Sequence, residues 1–297
     1  MSPTRLYLIY AFGKVATQTL ERSIRISDPT ALVERYHYLL PERLASFEEY
    51  CRRFGDQLPL TALLNQTRNA KRVFGVLEAH DPQNVWILTG FRDPLDFDVA
   101  AFFQNLSQFV PSYVSPAPDE EYDLERLDRE VDRVLAAYEA RFEKLLALAA
   151  GEEPNDPLYE RDAANNFDEW FEKEFRPLVG LDVYGLDVGS RPFVHFESAR
   201  GHGLLYRLEA LAQSLPALLD ELPLPKPHRL ENVNVAATKD YAVLYKRFRE
   251  RFIPSAEMRR HFYGGRYYRH FYSDRGPQAA NLPAGMPETG QNCPAVP

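Results

Sequence analysis

The sequence predicts an α/β fold, a three-layer sandwich in which a mainly parallel central sheet carries helices on both faces. Three observations carry that prediction. Arg5 to Phe12 and Val85 to Phe91 are apolar, β-branched and aromatic runs, the pattern of strands buried on both faces. Each is followed by a short loop and then by helix formers, at Thr17 and at Pro94. Strand-like and helix-like segments alternate through much of the chain, as parallel pairing through helical crossovers requires.

In chain order, the first strand leads through a short loop into a helix from Thr17 to about Arg25. Asp28-Pro29 breaks the chain, and Leu32 to Leu39 reads as a second strand before a helix from Pro41 to Phe54. A further helix covers roughly Leu60 to Ala79, and Asp81-Pro82-Gln83-Asn84 is a turn ahead of the Val85 strand. Pro94 opens a helix to about Phe109, and Pro111 to Asp119 is a proline-rich connector. Leu124, Leu127, Val131, Val134, Leu135, Tyr138, Phe142, Leu145 and Leu148 recur at three and four residues, a long amphipathic helix whose charged face reads as solvated. Gly151 to Pro157 ends it, and Phe167 to Leu178 is another helix. Phe193 to Phe196 and Leu204 to Leu208 read as strands, with a helix from Glu209 to Leu219. Short helices rich in Arg, Tyr and Phe follow Lys239, and beyond Tyr272 the composition predicts a disordered tail. The expected organisation is one domain over residues 1–273, with a helical insertion at about 112–180, and a tail over 274–297.

The 297 residues are 45% hydrophobic and 26% charged, an ordinary globular mix, and no apolar run approaches a membrane span. The start from Met1 lacks the apolar core of a secretory leader, so a cytoplasmic protein is expected. Only Cys51 and Cys293 are present, whereas a zinc site or disulfide framework needs more cysteines at closer spacing, and no metal is expected. A net charge of −8 argues against general nucleic-acid affinity but leaves room for one small anion in a locally basic pocket.

Ligands of parallel sheets bind beyond the carboxyl ends of the strands, so the loops after Phe12 and Phe91 are the candidate site. The first reads Gly13-Lys14-Val15-Ala16-Thr17-Gln18-Thr19-Leu20. Gly13 permits a tight turn, Ala16 a close backbone approach, Lys14 a point charge, and Thr17 and Thr19 hydroxyl donors at a helix N-terminus. It is not the nucleoside-triphosphate loop, which needs G-x-x-x-x-G-K-[ST]. An ordinary strand-to-helix turn with an exposed lysine is the plain alternative. In the second loop, Arg92 can grip phosphate as a fork and Asp93 can cap the helix that starts at Pro94.

The two loops together resemble the sulfotransferase superfamily. There a Lys-x-Gly/Ala-Ser/Thr-x-Ser/Thr-Leu loop holds the 5′-phosphosulfate of 3′-phosphoadenosine 5′-phosphosulfate (PAPS), matching Lys14 to Leu20. An Arg-Asp-Pro turn contacts the 3′-phosphate, matching Arg92 to Pro94. The segment Phe91 to Leu106 resembles more closely the bacterial capsular polysaccharide synthesis family. So do Trp170-Phe171-Glu172-Lys173-Glu174-Phe175, Gly180 to Tyr184, Leu205-Tyr206-Arg207-Leu208-Glu209-Ala210-Leu211 and His270 to Ser273. The resemblance implies a P-loop-like sulfotransferase fold and transfer of a sulfuryl group from PAPS to a hydroxyl of a saccharide or small metabolite. It implies nucleotide binding by Gly13, Lys14, Val15, Ala16, Thr17, Gln18, Thr19, Leu20 and Arg92. Two positions depart from it: Ala100 stands where a phosphate-binding serine is usual, and Phe97 where an arginine is. A catalytically silent nucleotide-binding or assembly module of the same fold is the competing reading.

Transfer to a hydroxyl also needs a base. Arg35-Tyr36-His37-Tyr38-Leu39 resembles the family's His-x-His-x-Leu strand, which makes His37 the candidate, with Lys14 steadying the leaving oxygen. His80 reads as turn-associated, His195 as packed in a strand, and Arg207 as a partner of Glu209. Tyr263 to Tyr272 reads mainly as aromatics completing a core.

Overall fold

The computed structural model describes residues 4–55, 61–113, 123–151, 167–230 and 239–275. The proline-rich connector, the segment after Gly151 and the tail fall largely outside them, and Cys293 wholly so. Within them the chain is α/β, and its contacts group it into two units, one of residues 1–93 and 145–235, the other of 94–144 and 236–297.

The first unit holds the sheet. Strands β1 (Leu6–Tyr10), β2 (Leu32–Tyr36), β3 (Val85–Phe91), β4 (Phe193–Ser198) and β5 (Gly201–Arg207) lie in the order β2-β1-β3-β5-β4. All pairings are parallel except β4 with β5. The sheet is therefore mixed, with an antiparallel hairpin closing one side. The strand expected at Leu204 to Leu208 starts at Gly201 instead. There the backbone adopts φ 137°, and a Cβ would meet Val85 O at 2.4 Å, so only glycine can make the tight hairpin turn.

β1 carries no exposed side chain, and its alternation divides it between two faces. Tyr7 and Ile9 pack with Leu20 and Ile24 of α1 (Thr17–Ser27) and with Leu211, Leu215, Leu218 and Leu219 of a later helix, Leu208–Asp220. On the opposite face, Tyr10 meets Trp170 and Phe175 at ring separations of 5.2 and 6.0 Å. Helices α2 (Pro41–Phe54) and α3 (Thr61–Ala79) carry the chain from β2 to β3, and Arg72 of α3 pairs with Glu34 of β2 at 2.8 Å. The predicted turn at Asp81 is a short helical turn, Pro82–Asn84, whose first amide bonds to the Asp81 carboxylate through Gln83 N.

In the second unit, α4 (Pro94–Gln104) and α5 (Leu106–Phe109) replace the one helix expected, because Asn105 breaks it and ties its side chain back to Ala101 O. α6 (Leu124–Ala149) buries the predicted stripe at Leu127, Val131, Val134, Tyr138 and Phe142, though Leu124 is exposed. Phe102 packs edge-on against Phe103 and Tyr138, and each of those two packs edge-on against Phe248. The charged face of α6 is not wholly solvated: Arg141 is 4% exposed and holds Asp98 in a bidentate pair at 2.9 and 3.0 Å, with Tyr138 Oη donating to the same carboxylate. The remaining elements are α7 (Phe167–Trp170), a π-helical turn Phe171–Phe175, α8 (Arg176–Val179), α9 (Leu208–Asp220), α10 (Ala242–Arg251), α11 (Ala256–Tyr263) and α12 (Arg266–Phe271). Tyr267, Tyr268, Phe271 and Tyr272 are buried, as expected for aromatics that complete a core.

Removing one partner of the buried pair strands the other charge. Asp98→Ala should cost about 3–5 kcal/mol in urea unfolding, whereas a paired Asp98→Leu/Arg141→Met replacement should recover most of it.

Candidate anion-binding site

The chain leaves β1 toward β2 on one side and returns to β3 on the other, so the sheet's switch point lies between β1 and β3. Loops that follow two such strands diverge and leave a crevice. Residues 11–16 and Arg92-Asp93 border it.

The first loop turns sharply. Gly13, Lys14 and Ala16 have φ of 47°, 56° and 57°, a left-handed conformation that costs energy in lysine and alanine. Tertiary hydrogen bonds maintain it: Arg92 Nη1 donates to Lys14 O at 3.2 Å, and Tyr206 Oη to Val15 O at 2.6 Å. A trans peptide sets N–H opposite C=O, so fixing those two carbonyls aims the Val15 and Ala16 amides the other way. A run of amides in alternating handed conformations makes an anion-binding concavity. Ala16 is also the N-cap of α1 and supplies no side-chain cap, so the dipole-positive end of an 11-residue helix faces the same loop.

The side chains of the predicted stretch divide. Val15 and Leu20 are 2% and 0% exposed in the core, so those two offer backbone alone. Lys14 is half-buried, Thr17 and Thr19 are buried at the start of α1, and Gln18 points to solvent. Arg92 sits against the loop, as its bond to Lys14 O shows.

His37 joins the same cluster. Its Nδ1 lies 2.6 Å from Ala11 O and 3.3 Å from Gly13 N. A carbonyl can only accept, so Nδ1 carries the proton and Nε2 is the basic nitrogen. Gly13 N–H then goes to Ala11 O, 3.0 Å away. Burial holds the His37 pKa below its usual 6.5, with Arg35 and Lys14 pushing the same way and the Ala11 carbonyl opposing. The neutral imidazole is therefore the form present near neutral pH.

The other histidines lie elsewhere. His80 bonds Val76 O at the end of α3, as a turn-associated residue would. His195, expected to be packed, is half-exposed on edge strand β4 and faces Glu221 at 3.1 Å, because alternation turns it away from the core. Among the described residues no group of His, Cys, Asp and Glu could hold a metal ion, and no helix is long and apolar enough to cross a membrane.

Sequence reasoning missed the residues that hold the loops. Tyr206 pins Val15, and Gly90 on the neighbouring strand leaves room for its ring, which a Cβ would meet at 2.5 Å. Glu209 Oε1 accepts from Asp93 N at 2.6 Å. Arg207, expected beside Glu209, donates to Gly189 O and lies over the Phe91 ring. Trp170 Nε1 donates to His37 O at 2.8 Å, and Glu174 Oε1 accepts from Leu39 N, Leu40 N and Tyr10 Oη at 2.7, 3.1 and 2.5 Å. A groove of about 750 Å³ lined by Tyr38, Arg43, Trp170, Lys173, Glu174 and Arg200 runs beside these residues, and neither anion loop lines it.

Residues 155–273 match the family described as "Putative capsular polysaccharide synthesis protein". The matched segment contains neither anion loop, yet it supplies Trp170, Glu174, Tyr206 and Glu209, the side chains that brace both loops and His37. No curated protein and no solved structure matches the chain. The only available signal for the bracing residues was their place in short stretches that resemble the capsular family.

Tyr206 stays protonated, since burial raises its pKa well beyond the usual value for a phenol. Tyr206→Phe should therefore cost about 1–3 kcal/mol by leaving a buried carbonyl unsatisfied, read by thermal unfolding, and should speed amide exchange at Val15 and Ala16. His37, with a depressed folded pKa, contributes stability above its unfolded value of 6.5 and loses it as pH falls through the folded value. The urea midpoint should accordingly fall more steeply from pH 7 to pH 5 in the native chain than in His37→Gln.

Proposed function

We propose that this protein is a sulfotransferase that moves a sulfuryl group from PAPS to a hydroxyl of a saccharide or small metabolite, in surface polysaccharide synthesis. The observation that carries the reading is the contact between the two anion-binding loops, Arg92 Nη1 to Lys14 O at 3.2 Å, at the switch point of the sheet. The match of residues 155–273 supports the polysaccharide part.

The residues present suit a nucleotide carrying phosphate at both ends. The Val15 and Ala16 amides, the α1 N-terminus, Lys14 and Thr17 would hold the 5′-phosphosulfate, and Arg92 the 3′-phosphate. When bound, PAPS supplies a sulfuryl group already joined to a phosphate leaving group. His37 Nε2 is the nitrogen that can take the acceptor's hydroxyl proton, and its depressed pKa keeps it ready to do so near pH 7. Lys14 places positive charge where the leaving oxygen becomes more negative.

A second reading, a silent nucleotide-binding or assembly module, is favoured by one observation. α4 carries Phe97 and Ala100 where the resemblance leads one to expect an arginine and a serine, so one phosphate contact that the resemblance implies is lacking. Calorimetric titration with 3′-phosphoadenosine 5′-phosphate (PAP), followed by assay of labelled sulfate transfer to glycans, separates the two. Binding without transfer to any glycan or phenol supports the silent module, and absence of PAP binding removes both nucleotide-binding readings and leaves only an assembly role.

Lys14→Ala should weaken PAP binding at least about tenfold, the loss of one charge-assisted contact, and unchanged affinity would take the loop out of the site. His37→Ala should lower turnover by about 100-fold or more with PAP affinity nearly intact.

A further inference from the structure

The stretch Trp170 to Phe175 carries no role in the reading above, yet its two most buried polar groups both reach the segment that bears His37. Trp170 is 3% exposed and its indole N–H donates to the His37 carbonyl at 2.8 Å. Glu174, also 3% exposed, gathers Leu39 N, Leu40 N and Tyr10 Oη on one oxygen. The two are one turn apart, Trp170 just before the π-helical turn Phe171–Phe175 and Glu174 within it, an irregularity that occurs often at functional sites. Around them Trp170, Phe171, Phe175 and Tyr10 pack as a ring cluster, so neither group can move without repacking.

We propose that Trp170 and Glu174 are positioning residues, a two-point clamp on the backbone of residues 37–40 that holds the His37 imidazole against the anion loop with Nδ1 protonated toward Ala11 O. The geometry explains why the clamp grips backbone. His37 follows the last residue of β2, where ladder bonds no longer fix the chain, and the bond between Nδ1 and Ala11 O survives only if the ring's own backbone is held. A carboxylate is suited to the task because one oxygen can accept several donors at once. Burial raises the Glu174 pKa, while Tyr10 and the Leu39 and Leu40 amides oppose the rise. Because all three donors meet Oε1 alone, a neutral carbonyl acceptor in its place preserves the clamp. The inference rests on the reading that His37 serves the anion-loop site, but its test does not.

The test is the tautomer and pKa of His37, followed by nuclear magnetic resonance on the full chain with isotope-labelled histidine and assigned by comparison with His37→Gln. The native protein should show Nδ1–H and a pKa below 6.5. Trp170→Phe keeps the ring packing and removes the N–H, and Glu174→Leu removes the acceptor. Each should mix the tautomers and raise the His37 pKa by about half a pH unit or more, a roughly threefold change in proton affinity. Glu174→Gln should restore the native values. Unaltered His37 resonances in Trp170→Phe would overturn the proposal even if Glu174→Leu does not fold, and so would a Glu174→Gln protein as perturbed as Glu174→Leu. PAP titration of the native chain runs in parallel: failure to bind PAP sinks the sulfotransferase reading and leaves the clamp result standing.

Discussion

The structure around the site depends on two backbone carbonyls, those of Lys14 and Val15, being held by side chains from the loop after β3 and from β5. Left to itself, a loop with lysine and alanine at positive φ would relax toward the right-handed region. Arg92 and Tyr206 prevent that, and through the rigid peptide plane the same two bonds decide where the Val15 and Ala16 amides point. Gly90 belongs to this constraint as well, since no other residue leaves space for the Tyr206 ring.

Every other feature of the site is arranged around that loop. The switch point brings the end of β3 beside the end of β1, Glu209 secures the Asp93 amide, and His37 closes the cluster from the β2 side. The bracing residues come from far along the chain: Tyr206 lies 191 residues from Val15, and Glu174 135 from Leu39. The segment that matches a capsular polysaccharide family thus braces the two loops and His37, which lie outside it. That division explains how a match restricted to residues 155–273 can still bear on the chemistry proposed at residues 13–20, 37 and 92.

The fold was legible where local pattern and burial agree. β1, α1, α2, β3 and α6 follow directly from continuous apolar runs and from the stripe on α6, because a side-chain period of two or 3.6 reports which face is buried. The errors fell where a single local contact overrides the pattern. Asn105 interrupts a helix by bonding Ala101 O, Gly201 starts a strand early because a hairpin must turn there, and Arg141 lies buried on a face that reads as solvated. His195 misled for a different reason: an edge strand exposes every second residue whatever its neighbours are.

By itself the sequence determined that a mainly parallel sheet presents two cation-bearing loops at the carboxyl ends of its strands, since strand, turn and helix signals are local and Lys14 and Arg92 sit in them. It read His37 as part of a strand over Leu32 to Leu39, whereas β2 ends at Tyr36. Only the tertiary structure decided which strands are neighbours, and hence that the two loops meet, that Nδ1 of His37 carries the proton, and that Trp170, Glu174, Tyr206 and Glu209 hold the assembly. The four bracing contacts join residues separated by 100 positions or more, and no periodicity along a chain encodes which distant side chain will find a given backbone group.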